Sequence, residues 1–558
     1  MNIFTQHSKS YQTVFKLSLL TILASRINWR EQCISLVEAA FIKVHEMENV
    51  EEYNNQVGYT QGNWMPVEHE LSNHQVVMSA RIPAELQGGM FVRMGTNAKV
   101  WPPTNVHHPF NGEAMMHRIV IGGNYSIEYS NNYVEEDSRF QHADFRNESM
   151  TEEEGMFSYS YGDVNHGGFA LVKIILVKIR NALKGIKPYP MEKRSPGSTS
   201  LITHGNKAFT ATETVMPFQV EINKDQVSGA GFIDFDGALT NQTAAGPSGT
   251  MSAHPKIDPI TGQMFFFASN YDVPNYVNFG SINKYGNPER YLQIPVPNKA
   301  AAFYHDMFLT ENFAIVPHSS LKKDSARLAK GLGVNYFDHS QMLAFGVLPR
   351  NASSADDMIW INSTSPGHIW HTVSAKEDGD ILTLYAPKFN SYNDEIFIHL
   401  SVEEPSYLNK FTINLTDKTC TEEIIFDEVV ERPTVNNNVL SPRYVYLRSE
   451  GSDSSEMGRK AVKFDLETEQ VVGSVDCGEV CHLGEPLFVA RADAVSEDDG
   501  FIVDIPYYPK THSSKFLIWD AQQMENAAPI VGDLPQRVPY GAHGKWLEPE
   551  FFSTSKSF

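Results

Sequence analysis

Four of the chain's 20 histidines stand out by their surroundings: His254 in "SAHPKIDPITG", His305 in "FYHDMFLTENFAIVPH", His371 in "GHIWHTVSAKEDGD" and His543 in "RVPYGAHGKWL". Each sits in or beside a strand-like apolar run, where an imidazole needs a hydrogen-bond partner or a metal. Imidazole suits Zn, Cu, Fe and Ni, and four neutral rings would leave a bound cation its full charge. The four are spread over about 290 residues, too far for a local finger, so they can meet only where many strands converge. Taken singly, each is as readily a surface or ordinary core histidine. His368, three residues before His371, competes for the third position.

The elements that must bring these residues together read as mostly β. Short apolar, β-branched and aromatic runs are cut by turn signals, "GGNYS" at 122, "DPITG" at 258, "KEDGD" at 376 and "SEDDG" at 496. Strong helical periodicity is confined to roughly 14–45 and 169–184. No repeat of fixed period and no Pro/Ser linker divides the body. Many short strands in one undivided stretch favour a single closed β-architecture, and a propeller arranges that much antiparallel sheet without long exposed edges. The 558 residues, 41% of them hydrophobic and 11% aromatic, can bury a large core.

The net charge of −22 would repel a phosphate backbone, so nucleic-acid binding is not expected. The four cysteines, Cys33, Cys420, Cys477 and Cys481, are too few and too irregular for a disulfide framework, and we expect reduced, inert thiols. Residues 1–34 read as a leader. Lys9, Lys16, Arg26 and Arg30 precede the first acid, Glu31, as in an organelle transit peptide, while a plain amphipathic helix is the alternative. In "GGFALVKIILVKIRNALKG", residues 167–185, a helix places Lys173, Arg180 and Lys184 within roughly 40° of one another beside a broad apolar face. Such a helix suits a membrane interface, against a core helix whose lysines snorkel.

At the four histidine stretches the chain resembles the carotenoid cleavage oxygenase family, in its plant-type form. "AHPKIDPITGQMFFF", "HDMFLTENFAIV" and "RVPYGAHGKW" are similar to the family's first, second and fourth iron-histidine motifs. "MLAFGVLPRNA" matches a stretch between the second and third, and "QGNWMPVEHEL" with "RIPAELQGGMFVRMGTN" match its first strands. "SLVEAAFIKVHEM" is similar to the amphipathic helix that precedes those strands. The resemblance runs from about residue 35 to the end.

The resemblance implies an all-β fold: a seven-bladed β-propeller over 35–558, with a small helical cap on the active-site face and a membrane-interface helix at about 169–184. One Fe(II) on the axis would be held by His254, His305, His371 and His543. Glu213, Glu431 and Glu485 would accept the second ring N–H of three of them. His371 is preferred to His368 because Glu377 follows it at the family's spacing. The implied activity is cleavage of a C=C bond in a carotenoid or apocarotenoid by O2, giving two carbonyl products, with a preference for the 9,10 bond. A stilbene-cleaving enzyme, a retinoid isomerase and an interaction scaffold without chemistry are the alternatives. The implied location is cytoplasmic and peripheral to a membrane, with the plastid as the other choice. The chain departs from the family at Asn111 and Ala114 in "FNGEAMMH", and at Ser374 and Lys376 after His371. Those changes bear on substrate and cleavage position, not on the ligands.

Overall fold

The computed structural model describes residues 29–553 apart from 135–159, 187–192, 194, 214, 240–248, 270–275, 300–301, 393–404, 452–457, 479 and 526–527. Most of the proposed leader therefore lies outside the described residues. Seven antiparallel sheets follow one another in the chain and form the blades of a propeller. Blade 1 contains Leu71–Val77, Met90–Asn97, Glu113–Ile121 and Ser126–Tyr133. Blades 2 to 7 span 200–232, 256–295, 308–362, 374–426, 429–476 and 487–533. The ring closes when Gly544–Leu547, from the far end of the chain, pairs antiparallel with blade 1, Met90 opposite Leu547 and Arg93 opposite Gly544. Closure removes the free inner edge that an open array of sheets would expose.

The core is divided among the seven interfaces between blades, each with its own apolar cluster. This explains why "MFFF" is apolar without alternation. In the strand Met264–Ser269 every residue is buried; Met264 and Phe266 pack toward blade 2, while Phe265 and Phe267 pack toward blade 4. A strand sandwiched on both faces reads as a continuous hydrophobic run.

The helices form a separate layer: α1 (29–48), α2 (Val50–Val57), α3 (Tyr161–His166) and α4 (Ala170–Lys184). Phe41, Tyr161, Val164, Ala170 and Val177 share a cluster with Leu328 and Val334, which belong to an excursion between two strands of blade 4. That excursion leaves the strand Phe313–His318 at its end, which lies beside the start of its antiparallel neighbour Phe308–Leu309. The start of Phe308–Leu309 is also where His305 stands. The cap thus covers the face on which the candidate ligands lie.

Two expectations change. The basic stripe of α4 points inward: Lys173 is fully buried between Asp163 Oδ1 (2.8 Å) and Glu48, and Arg180 Nε and Lys184 Nζ reach Glu38 at 2.7 and 3.0 Å. The solvent face instead carries Val172, Ile175 and Ile179, which are 41%, 48% and 43% exposed, together with Lys178. Acids on α1 and α3 draw the cations in, because a buried ammonium requires a counter-charge. Cys477 and Cys481, expected as reduced thiols, are joined in a disulfide, their Cα atoms 6.4 Å apart. Cys33 and Cys420 are free thiols.

Candidate metal centre

Every blade of the propeller sends one acidic or histidine side chain to the axis. His254 stands two residues before the inner strand of blade 3, His305 three before that of blade 4, His371 three before that of blade 5, and His543 directly before the closing strand of blade 1. Glu213 follows the second strand of blade 2, Glu431 lies in the inner strand of blade 6, and Glu485 stands two residues before that of blade 7. Pairing is antiparallel within each blade, but the inner strands of successive blades run the same way along the axis, so their starts gather at one end of the ring. Residues far apart in sequence therefore meet there.

The four imidazoles present ligand atoms that all lie within 4.8 Å of one another. Nε2 of His254 is 3.1 Å from that of His305, which is 3.2 Å from that of His371. Two imidazole nitrogens bound at about 2.1 Å to one ion and at right angles would be about 3.0 Å apart. Three of the other ring nitrogens face carboxylates. His371 Nδ1 lies 2.7 Å from Glu431 Oε2, and His543 Nδ1 lies 2.7 Å from Glu485 Oε1. His305 Nδ1 approaches Glu213 Oε1 at 2.9 Å, at a poorer angle. With Nδ1–H donated, Nε2 of His305 and of His371 are bare lone pairs facing each other. That arrangement is repulsive until a cation sits between them, so the donor set fits a metal ion.

The electrostatics agree. Burial, followed by the neighbouring His543, His305 and His371, holds His254 well below the usual imidazole value. Burial also lowers His371 to about 4, although Glu431 opposes it. Burial by itself would raise the Glu431 carboxyl, but His371 and the Arg432 N–H outweigh it and bring it to about 2. The same competition, won by the histidine partner, lowers Glu213 and Glu485. His254 and His371 are thus neutral and the carboxylates ionised, the protonation states a metal site requires.

His368 does not join the group. It is fully buried, its Nδ1 lies 2.7 Å from Ser319 Oγ, and its ring packs against Trp370. The chain bends at Trp370, between His368 and His371, and the two rings go to different partners. Glu377, used to choose between them, lies at the blade surface, where it accepts the N–H and side-chain amide of Asn312 at 3.1 and 2.8 Å.

Sequence reasoning missed several residues that support the site. Asp306, next to His305, accepts Thr372 N and Oγ1 at 2.7 and 2.8 Å and Lys256 Nζ at 2.8 Å, and so ties the arms of His305, His371 and His254 together. A carboxylate immediately after a ligand was the available signal. Trp370 stands edge-on to His305, with ring centroids 4.9 Å apart, and belongs with Phe303, Phe389 and Tyr392 in an aromatic wall. Arg432 reaches Ala542 O at 2.7 Å, beside His543.

The family model described as retinal pigment epithelial membrane protein, RPE65, matches residues 64–548. A carotenoid 9,10(9′,10′)-cleavage dioxygenase of Crocus sativus is 27% identical over 515 residues, covering 88% of this chain and 89% of that protein. The chloroplastic 9-cis-epoxycarotenoid dioxygenase NCED1 of Oryza sativa subsp. japonica is 28% identical over 507 residues, covering 87% and 75%. Among solved structures, the lignostilbene dioxygenase of Pseudomonas brassicacearum superposes with a TM-score of 0.72 at 19% identity over 88% of this chain and 98% of that one. A mutant of Synechocystis ACO does so at 0.69 and 22%, over 89% and 99%. With nearly the whole propeller matched, the chain belongs to the RPE65 family of carotenoid cleavage oxygenases, and it is an oxygenase.

Proposed function

We propose that this oxygenase holds one Fe(II) through His254, His305, His371 and His543 and splits a C=C bond of a carotenoid or apocarotenoid into two carbonyl products, preferentially the 9,10 bond. The convergence of four imidazoles within 4.8 Å carries the proposal. Bound iron would supply the activation of dioxygen, which organic side chains do poorly. In the net reaction one O2 and one C=C bond become two C=O groups, so no proton or reductant is consumed.

The chain's own residues then have three tasks. Glu213, Glu431 and Glu485 fix the tautomer and direction of three rings. Asp306, the carboxylate next to His305, is occupied by Thr372 and Lys256 and is not poised as a general base. Phe303, Trp370, Phe389 and Tyr392 offer an apolar surface beside His305 against which a rigid polyene can be placed while water is kept out. The exposed Val172, Ile175 and Ile179 of α4 support a further part of the proposal, docking of the cap on a membrane from which a lipid-soluble substrate is drawn. Among the described residues no helix is long and apolar enough to cross a membrane.

The test is to load purified protein anaerobically with Fe(II), count iron per chain by mass spectrometry, and incubate it in air with a carotenoid, a stilbene and a retinyl ester in parallel. About one iron per chain with aldehydes from the carotenoid is expected. Aldehydes from the stilbene alone, or isomerised retinoid without cleavage, would replace the substrate assignment. No iron affinity would end the proposal.

A further inference from the structure

Behind the two carboxylates of blades 6 and 7 lies a cation that no ligand assignment requires. Arg432 directly follows Glu431 and adopts a left-handed backbone, φ 55, ahead of Pro433. A bulge in the pairing of this inner strand with its neighbour, between Glu431 and Thr434, forces that conformation. A non-glycine residue before proline is disfavoured there, so its contacts must hold it in place. They are of two kinds. Its backbone N–H donates to the Glu431 carboxylate that orients His371, and its Nη1 donates to Ala542 O at 2.7 Å, one residue before His543. The side chain thus ties the strand that supports one candidate ligand to the loop that carries another.

The guanidinium also sits in the field of the site. It is half-buried and interacts electrostatically with both Glu485 and Glu431, which orient His543 and His371. Of the other arginines near it, Arg93 is committed to Asp504 at 3.7 Å, and Arg448 stands opposite Glu431 in the strand ladder. Three buried carboxylates around a dication leave one surplus negative charge, and a negative surrounding favours the higher oxidation state of a metal. We propose that Arg432 is a positioning residue that offsets this surplus, keeping the bound metal in its divalent form, and braces the His543 loop against the Glu431 strand. The inference rests on the metal-binding reading above.

The experiment compares wild-type protein with Arg432→Lys and Arg432→Gln, each loaded with Fe(II). Lysine keeps the charge without the planar fork; glutamine loses the charge. Spectroelectrochemistry should show the ferric-to-ferrous equilibrium moved about tenfold toward ferric in Arg432→Gln, as expected for one charge lost at roughly 10 Å in a protein medium, and near wild type in Arg432→Lys. Release of Fe(II) to a chelator should be faster than wild type in both variants, because both lose the brace on Ala542. Identical equilibria in the Lys and Gln variants would overturn the electrostatic role, and wild-type release rates in both would overturn the bracing role. Arg432→Met serves as a second uncharged variant if the Gln protein does not fold. Neither readout uses turnover, so failure to find a substrate cannot be mistaken for failure here.

Discussion

At the residue scale the site depends on hydrogen bonds one step removed from the candidate ligands. Glu431 and Glu485 each take a ring N–H and a backbone N–H, from Arg432 and Gly544 respectively. Replacing either by Gln leaves a similar shape but pits an amide N–H₂ or a weaker acceptor against the imidazole. Glu431→Gln and Glu485→Gln should each weaken metal binding by roughly 10- to 100-fold in a competitive chelator titration while the fold is retained; unchanged affinity would remove these carboxylates from the site. A second residue reports on the blade interior. Lys322 is buried, hydrogen-bonds His318 Nε2 at 3.0 Å, and is lowered by burial from 10.5 to about 7, against the pull of Asp338. Between those values the unfolded chain holds a proton that the native chain has released. The native state is therefore destabilised progressively as pH falls from about 10.5 to 7. Thermal unfolding of Lys322→Met against wild type should show its largest relative gain near pH 7, shrinking toward pH 10. A difference independent of pH would contradict the depressed lysine.

At the scale of elements, α4 shows what a single sequence conceals. Its positions 173, 177, 180 and 184 form one stripe and 172, 175 and 179 another, and the periodicity gives both. Which stripe faces inward is decided by Glu38 and Glu48 on α1 and by Asp163 on α3. Asp163 lies only ten residues from Lys173, but Glu38 and Glu48 are more than 120 residues from the cations they hold, and no local pattern reports those partners. Lys173→Ala should strand two buried carboxylates and cost about 3 kcal/mol, seen first as faster hydrogen exchange in 29–48 and 161–184. Ile175→Glu, on the exposed face, should shift stability by less than about 0.5 kcal/mol yet reduce cosedimentation with liposomes. Equal liposome binding by that variant would place the membrane contact elsewhere. The histidines were legible because each sits in a long, distinctive stretch beside the start of a strand, whereas the glutamates came only with the family resemblance those stretches carry. Arg432 was not, since an arginine beside a glutamate looks like a solvated pair until the bulge turns it inward. The pairing of Cys477 with Cys481 escaped for a similar reason: two cysteines four apart in sequence do not by themselves announce a bond.

For the whole molecule, the candidate metal centre and the closure of the ring are one device. His543 immediately precedes Gly544–Leu547, the strand that closes blade 1, and its partners come from blades 3, 4 and 5. An ion bound there ties the closing strand to the opposite side of the ring. It also offsets the repulsion of converging lone pairs. Binding to the native state alone, at a free concentration 100 times the dissociation constant, adds about 2.7 kcal/mol. At about 2.1 cal/mol/K per residue, a chain of 558 residues moves its melting midpoint by only about 2 °C for that energy. A thermal scan is therefore a blunt measure of metal removal. The loss should be concentrated where the ion acts. Chelation ought to accelerate amide exchange in Gly544–Leu547 and in its partner segment Met90–Arg93, with much less effect on the outer strands of blades 5 and 6. Gly89 supplies an independent check on the same junction, because a Cβ there would run into the Trp546 ring. Gly89→Ala should destabilise by about 1–3 kcal/mol through overpacking and should speed exchange in the closing strand even with metal present. Were chelation to raise exchange uniformly around the ring, the metal would be stabilising the propeller as a whole, and the closing strand would not be its particular point of action.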